Sequence, residues 1–361
     1  MDEDKKWDER VGSETEWSRI YKDLKERGYT LRPRYHPDWT LPPGDLDVGR
    51  EDLLVQRVWN YSSISTYLIH PFQNPYCLDA TRPGDTPVFI KKVDRREHPA
   101  EAEIALFLCS PALLLDSYNH SVRILDSFSD KKEPEILYLV MPLLRRFNDP
   151  PFTIIKESVE FVDQTLQGLT FMHQHNVAHR DCSGQNIMME AHGLYPNGWH
   201  PMAPALSRDA RGFITPHKNR CDVNIQYIFV DFGLSTRFAP GEPHLVVGAK
   251  GAAPAPELSL EIPYNPFKLD VYLLGKVFQE HICEAYDDVP FLEPLVKDMT
   301  AFNPNDRPTA KEALKRWRDI CKSKEASSMR GWLHKRGESV PEQLVHDLAS
   351  SAMFVLNRLR P

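Results

Sequence analysis

Two short runs decide how this chain is read: His179-Arg180-Asp181-Cys182-Ser183-Gly184-Gln185-Asn186 and, after a long interval, Phe229-Val230-Asp231-Phe232-Gly233. The first begins where an amphipathic helix should stop. Val159, Val162, Leu166, Leu169 and Met172 recur at steps of 3, 4, 3 and 3, which places one apolar stripe on a helix. The second is an apolar strand that ends in an acid and a glycine. Upstream, strand signals dominate: STYLI (65–69), PYCLDATR (75–82), TPVFIKKV (86–93), SVRILDSF (121–128) and ILYLVM (136–141), broken by a helical stretch over 100–108. A strand-rich first half therefore meets a helix-rich second half near MPLLRRF (141–147).

In this order and on these local contexts, the chain resembles the protein-kinase family, whose pattern is H-R-D-x-x-x-x-N followed by D-F-G. Val88-Phe89-Ile90-Lys91 is similar to the family's V-A-I-K, and Ala255-Pro256-Glu257 matches A-P-E. Asp270-Val271-Tyr272-Leu273-Leu274-Gly275 and Asn303-Pro304-Asn305-Asp306-Arg307-Pro308-Thr309 resemble its later motifs. The phrases HPDW (36–39), AHRDCSGQNIM and NPF…DVYLLG look most like fungal protein-kinase-like proteins.

The resemblance implies an α+β, two-lobed protein-kinase fold, with a small antiparallel β lobe and a larger, mainly helical lobe. The expected organisation is an N-terminal extension with one helix (1–54), a kinase domain (55–325) and a C-terminal helical extension (326–361). Within the domain, the small lobe would span 55–142 and the large lobe 143–325, with an insertion at about 190–225. The extension's helix is expected over 13–27, with Trp17, Ile20, Tyr21 and Leu24 on one face of a surface helix and Gly28 as its stop. The proline-punctuated stretch after it reads either as a strap over the main domain or as a disordered tail. A final helix is expected from Ser339, capped with Glu342.

The resemblance also implies ATP and Mg²⁺. Phosphoryl transfer is mostly positioning and electrostatic stabilisation, so the site needs oxygen ligands for metal and a cation for the phosphates. Asn186 and Asp231 would be the Mg²⁺ ligands, Asp181 would orient or accept the substrate hydroxyl proton, and Lys91 would meet the phosphates. Glu101 is its expected partner, and Glu103 the other choice. Met141 would back the adenine pocket, with the carbonyl of Pro142 and the N–H and carbonyl of Leu144 reading the base. Glu257 and Arg307 are expected to pair in a structural role.

The pattern breaks in four places. His70-Pro71-Phe72-Gln73-Asn74-Pro75-Tyr76 stands where a glycine-rich phosphate loop belongs, and two prolines remove two N–H donors. Ser183 replaces the usual cation two residues past Asp181, for which Lys250 is a candidate replacement. Arg237 to Pro254 contain no Ser, Thr or Tyr, so Arg180 is expected to pair with Glu242 or with nothing. This implies constitutive activity or control by a regulatory protein partner. Finally, 44 residues separate Asn186 from Asp231, far more than the family needs; the basic Arg208, Arg211, Lys218 and Arg220 in this insertion either shape a substrate groove or are simply solvated.

Two functional readings stay open. One is a protein kinase, serine/threonine by family default, acting on an unidentified protein substrate. The other is a pseudokinase serving as an interaction module. The bulk composition fits both. Of 361 residues, 41% are apolar and 26% charged, which is globular composition. A net charge of −7 argues against nucleic-acid binding. No stretch approaches the roughly 18 apolar residues of a membrane span. Six scattered cysteines without a C-x-x-C pair, and a start charged from its second residue, lead us to expect an intracellular protein, cytoplasmic or nuclear.

Overall fold

The structure, a computed structural model, describes residues 12–40, 75–249, 251, 253–324, 329 and 331–359. The expected strand over 65–69, the altered phosphate loop up to Asn74, and Lys250 lie outside the described residues. The chain divides into two compact units, one gathering 1–94, 124–143 and 195–215, the other 95–123, 144–194 and 216–361.

The first unit is built on an antiparallel sheet. Strands β1 (Cys77–Arg82), β2 (Thr86–Asp94), β3 (Asp126–Ser129) and β4 (Ile136–Pro142) lie in the order β1-β2-β4-β3. In β2, alternation sends Val88 and Ile90 into the core and turns Phe89 and Lys91 to the other face. The register sets Lys91 opposite Leu139 and Phe89 opposite Met141, so these four side chains share that second face.

The core face is covered by the N-terminus. Helices α1 (Gly12–Arg19) and α2 (Tyr21–Glu26) contribute Trp17, Ile20, Tyr21 and Leu24 to one cluster with Val88, Ile90, Tyr138 and Val140. The helix expected on the surface is thus part of the sheet's hydrophobic core. Leu24 has no exposed area, and the Trp17 and Tyr138 rings lie 5.8 Å apart. Polar ties reinforce the seat: Arg19 reaches Asp130 at 2.8 Å, and Lys92 meets Glu16. Gly28, at φ +89°, ends α2 in a conformation few side chains adopt. The chain then returns to the sheet as Tyr29, Leu31 and Tyr35 bury in the same cluster.

The second unit is helical. It holds α3 (Pro99–Leu108), α4 (Ile155–Gln174), α5 (Pro266–Phe278), α6 (Glu293–Met299), α7 (Ala310–Lys322) and α8 (Val340–Leu359). The stripe expected on α4 is its buried face: Val162, Leu166, Leu169 and Met172 have no exposed area. Short strands β5 (Arg145–Arg146), β7 (Ile187–Met189) and β8 (Tyr227–Phe229) form a small sheet, and β6 (Val177–Ala178) pairs with β9 (Thr236–Arg237). The pair β10 (Val246–Gly248) and β11 (Ser259–Tyr264) completes the unit's strands among the described residues. The architecture is the expected α+β, two-lobed class, with an antiparallel N-terminal sheet and a helical C-terminal region. No described helix is long and apolar enough to cross a membrane.

The insertion is divided between the units. Residues 195–215 go with the sheet, where Arg208 makes a two-pronged contact to Asp85 in the β1–β2 turn, at 2.5 and 2.9 Å. Residues 216–225 go with the helices. There Arg220 is buried and donates to the carbonyls of Phe147 and Pro150 and to the Tyr227 hydroxyl. Of the four basic positions, only Arg211 and Lys218 are exposed.

Helix α8 begins as expected, with Ser339 donating from N and Oγ to the Glu342 carboxylate at 2.7 and 2.6 Å. A histidine then tethers it. His334 Nδ1 faces Asp288 at 3.1 Å and Nε2 faces Asp347 of α8 at 3.0 Å. Burial lowers the imidazole's pKa, but the hydrogen bonds to Asp288 and Asp347 outweigh it, leaving the group above its ordinary value. A raised folded-state pKa means that the protonated form favours the docked helix. Its contribution is complete below the unfolded value of about 6.5 and is lost as pH rises through the folded value. Amide exchange in α8 is therefore expected to accelerate as the pH rises above about 6.5, beyond the intrinsic pH effect. The excess should vanish in His334→Gln; an unchanged excess in that variant would show that His334 is not the tether.

Candidate functional site

In the helical unit, the two motifs are brought together by strand pairing. Ile187 stands opposite Phe229 in the β7–β8 register, and Val230 N donates to Asn186 O at 2.9 Å. The two motifs, 44 residues apart in the chain, thereby become neighbours. Asn186 Nδ2 donates to Asp181 O at 3.0 Å and to Asp181 Oδ2 at 2.9 Å. Both amide hydrogens are thus committed to Asp181, and the group Asn186 retains for a ligand is the acceptor Oδ1.

One residue in each motif is held at positive φ, Arg180 at 66° and Asp231 at 65°. Non-glycine residues are uncommon there, and such strain persists only where the surroundings over-determine it. For Arg180 the determinant is Asp270, buried at the start of α5. Its carboxylate accepts from His179 N at 2.8 Å and Arg180 N at 2.6 Å, and it also meets His173 Nε2 at 3.0 Å. For Asp231, Oδ1 accepts from Gly233 N at 3.1 Å, and His179 Nε2 donates to the preceding carbonyl of Val230 at 3.1 Å. The His179 ring packs 5.3 Å from Phe232.

Glu101 and Glu103 have different environments on α3. Glu101 is buried and Glu103 exposed. A Cβ built on Gly233 would lie 3.3 Å from Glu101 Oε2 and 3.1 Å from Asp231 Oδ1, so both carboxylates border that glycine. His98, just before α3, adds a contact that the sequence did not signal: its Nδ1 lies 3.1 Å from Gly233 O. Arg237 of β9 stacks over Phe107 at 3.4 Å. Helix α3 and its N-cap are thus tied to the segment after Asp231 at two points, His98 and Phe107.

The other expected site residues lie in the sheet unit or at the start of the next stretch of the helical one. Lys91 is half-buried on the β2 face that also bears Leu139 and Met141, while Pro142 closes β4 opposite Val88. Leu144, half-buried, begins the helical unit's portion.

Arg180 ties described parts of the segment between Asp231 and Glu257 to the motif loop. Arg180 Nη1 donates to Thr236 Oγ1 at 3.2 Å, and Nη2 donates to Val247 O at 3.1 Å and Tyr264 Oη at 3.4 Å. The expectation that Arg180 pairs with Glu242 or stays alone is corrected: three neutral oxygens hold it. Glu242 is engaged in its own turn, accepting from Ala239 N at 2.8 Å. Gly248, at φ +132°, permits this, because a Cβ there would stand 2.9 Å from Arg180 Nη2. The expected pair is present at the segment's end, with Arg307 donating to Glu257 at 2.5 and 2.9 Å. Cys182 is fully buried; burial, then Asp270 and Asp181, push its thiol well up, so it stays protonated and is no nucleophile.

Among the described residues, no group of three or more His, Cys, Asp or Glu side chains is arranged to hold a metal. The pair of Asn186 Oδ1 and the Asp231 carboxylate still suits Mg²⁺, which takes one or two protein oxygens and completes its shell with phosphate and water.

No protein-family model matches the chain. It is similar to sperm motility kinase 1 of Mus musculus, at 26% identity over 200 residues, covering 53% of this chain and 33% of that protein. Sperm motility kinase 3A of Mus musculus is 23% identical over 198 residues, 53% of this chain and 32% of that protein. The chain is a kinase-like protein. It spans about a third of the length of the curated relatives it matches. The kinase-like character rests on the motifs and their arrangement as well as on these distant relatives.

Proposed function

We propose that the chain transfers the γ-phosphate of ATP to a protein hydroxyl, serine or threonine by family default. The observation that carries this reading is the Asn186–Asp181 interaction beside Asp231, held by the strained backbone at Arg180 and Asp231. Asp181 orients the substrate hydroxyl and takes its proton as the oxygen attacks the γ-phosphorus. The bond to the β-phosphate breaks, and ADP leaves. Asn186 Oδ1 and Asp231 would hold Mg²⁺, which neutralises charge on the phosphates. Lys91 supplies a fixed cation to the phosphates, with Glu101 as its partner. Met141, the Pro142 carbonyl and the backbone of Leu144 receive the adenine. We place the protein inside the cell, in cytoplasm or nucleus, with activity either constitutive or set by a protein partner rather than by phosphorylation between Arg237 and Pro254.

One observation favours a second reading, a nucleotide-binding module without transfer. Ser183 occupies the place of a cation, and its buried hydroxyl has no hydrogen-bond partner. Thermal melting separates these readings from a nucleotide-free scaffold. Under both nucleotide-binding readings, Mg·ATP raises the melting temperature, and Asp231→Asn removes the rise. At 100 times the dissociation constant the stabilisation is about 2.7 kcal/mol. No shift at millimolar Mg·ATP would reject ATP as the ligand.

A further inference from the structure

Helix α8 is tied to the body by Asp347, which meets His334 Nε2 at 3.0 Å. Its described apolar side chains are exposed. Leu344, Val345, Leu348, Val355, Leu356 and Leu359 are between 54% and 74% exposed. At about 100° per residue, these six fall within an arc of about 120° on the side opposite Gln343 and Asp347. A surface helix normally turns such a stripe to the core.

The spacing within the stripe is specific. Val345, Leu348, Ala352, Val355 and Leu359 follow steps of 3, 4, 3 and 4, the seam of a helix that pairs with another helix. We propose that α8 is a self-association surface, through which two copies of this chain pair about a two-fold axis. A second copy presents the same seam, as an isologous interface requires. A lipid surface fits less well: interfacial helices are rich in Lys and Arg, whereas Val340–Leu359 holds one Arg and no Lys against two acids.

The area sets the class of interface. A Val or Leu side chain carries roughly 60–120 Å² of apolar area at 25 cal/mol per Å². Six such chains, about two-thirds exposed, contribute on the order of 800 Å² over two copies. Val340, Ala349, Ala352 and the stems of flanking polar residues bring the interface to about 1,000 Å², the lower bound for a specific association. The dimer is therefore expected to be weak and reversible, with a dissociation constant to be sought in the micromolar range, and not a condition of folding.

Sedimentation of the full chain between about 1 and 200 µM tests this, a range that brackets such a dissociation constant. The expected result is a monomer–dimer equilibrium. The double variant Leu348→Glu/Val355→Glu should weaken it at least about 100-fold, since it buries two unpaired charges per copy in the seam. Both positions are exposed in the single chain, so far-ultraviolet circular dichroism and melting temperature should stay at wild-type values. A wild-type chain that is monomeric throughout would overturn the proposal. So would a dimer indifferent to the double variant, or a monomer that instead co-sediments with phosphatidylcholine vesicles.

Discussion

Asp181→Asn is expected to reduce phosphate transfer by about 10²- to 10⁴-fold, the usual worth of a positioned general base, while keeping the Mg·ATP-induced rise in melting temperature. The substitution keeps the size of the side chain. It also keeps both acceptors that Asn186 uses, the backbone oxygen and a side-chain oxygen, so the loop that carries Asn186 has no reason to rearrange. What disappears is the negative charge and the proton affinity beside the incoming hydroxyl. Asp231→Asn should behave differently, losing the nucleotide-dependent rise itself, because the proposed metal ligand is weakened before any chemistry. Radiolabelled transfer to a mixed protein substrate, measured beside melting curves, checks both. Transfer by Asp181→Asn at the wild-type rate would remove Asp181 from the chemistry. A wild-type chain that shows the rise but never transfers phosphate would favour the module without catalysis, with Ser183 as the first position to examine.

The largest stability effect is expected at Arg307. Its side chain has no exposed area. Besides Glu257, it donates to the carbonyls of Ala301 at 2.7 Å, Lys268 at 3.0 Å and Phe302 at 3.3 Å, and it lies over the Tyr272 ring. Arg307→Ala leaves a carboxylate only 7% exposed and three carbonyls short of their donor. Breaking one side of a buried ion pair costs about 3–5 kcal/mol, and a melting temperature lower by roughly 10 °C follows for a unit of this size. Arg307→Lys should recover little, since one ammonium cannot reproduce the guanidinium's planar fork. The double variant Glu257→Gln/Arg307→Met should be less damaging than Arg307→Ala, because no charge is left buried and unpaired. Calorimetry on the four proteins decides; a fall of under 1 kcal/mol in Arg307→Ala would mean that the pair contributes little to this unit.

Local order in the chain was enough for a large part of this protein. The steps of 3 and 4 from Val159 to Met172 located α4 and its buried face, because helical geometry sends such positions to one side whatever they pack against. The order of the motif runs pointed to an antiparallel sheet followed by helices, and to Glu257 with Arg307 as partners. The tertiary structure decided what periodicity cannot carry, namely what covers each face. The stripe of α1 and α2 looked like that of a surface helix, yet it closes the core of the sheet. The final helix was legible from its cap, yet only the structure shows its leucines and valines exposed and Asp347 bound to His334. Only folding separated buried Glu101 from exposed Glu103, two residues apart on one helix. Only folding supplied Thr236, Val247 and Tyr264 as partners of Arg180, which no spacing links to them. A sequence records which side chains prefer to leave water and which positions share a face. The long-range partner of a face or a charge is set by how distant segments close on one another, and that choice exists only in the folded chain.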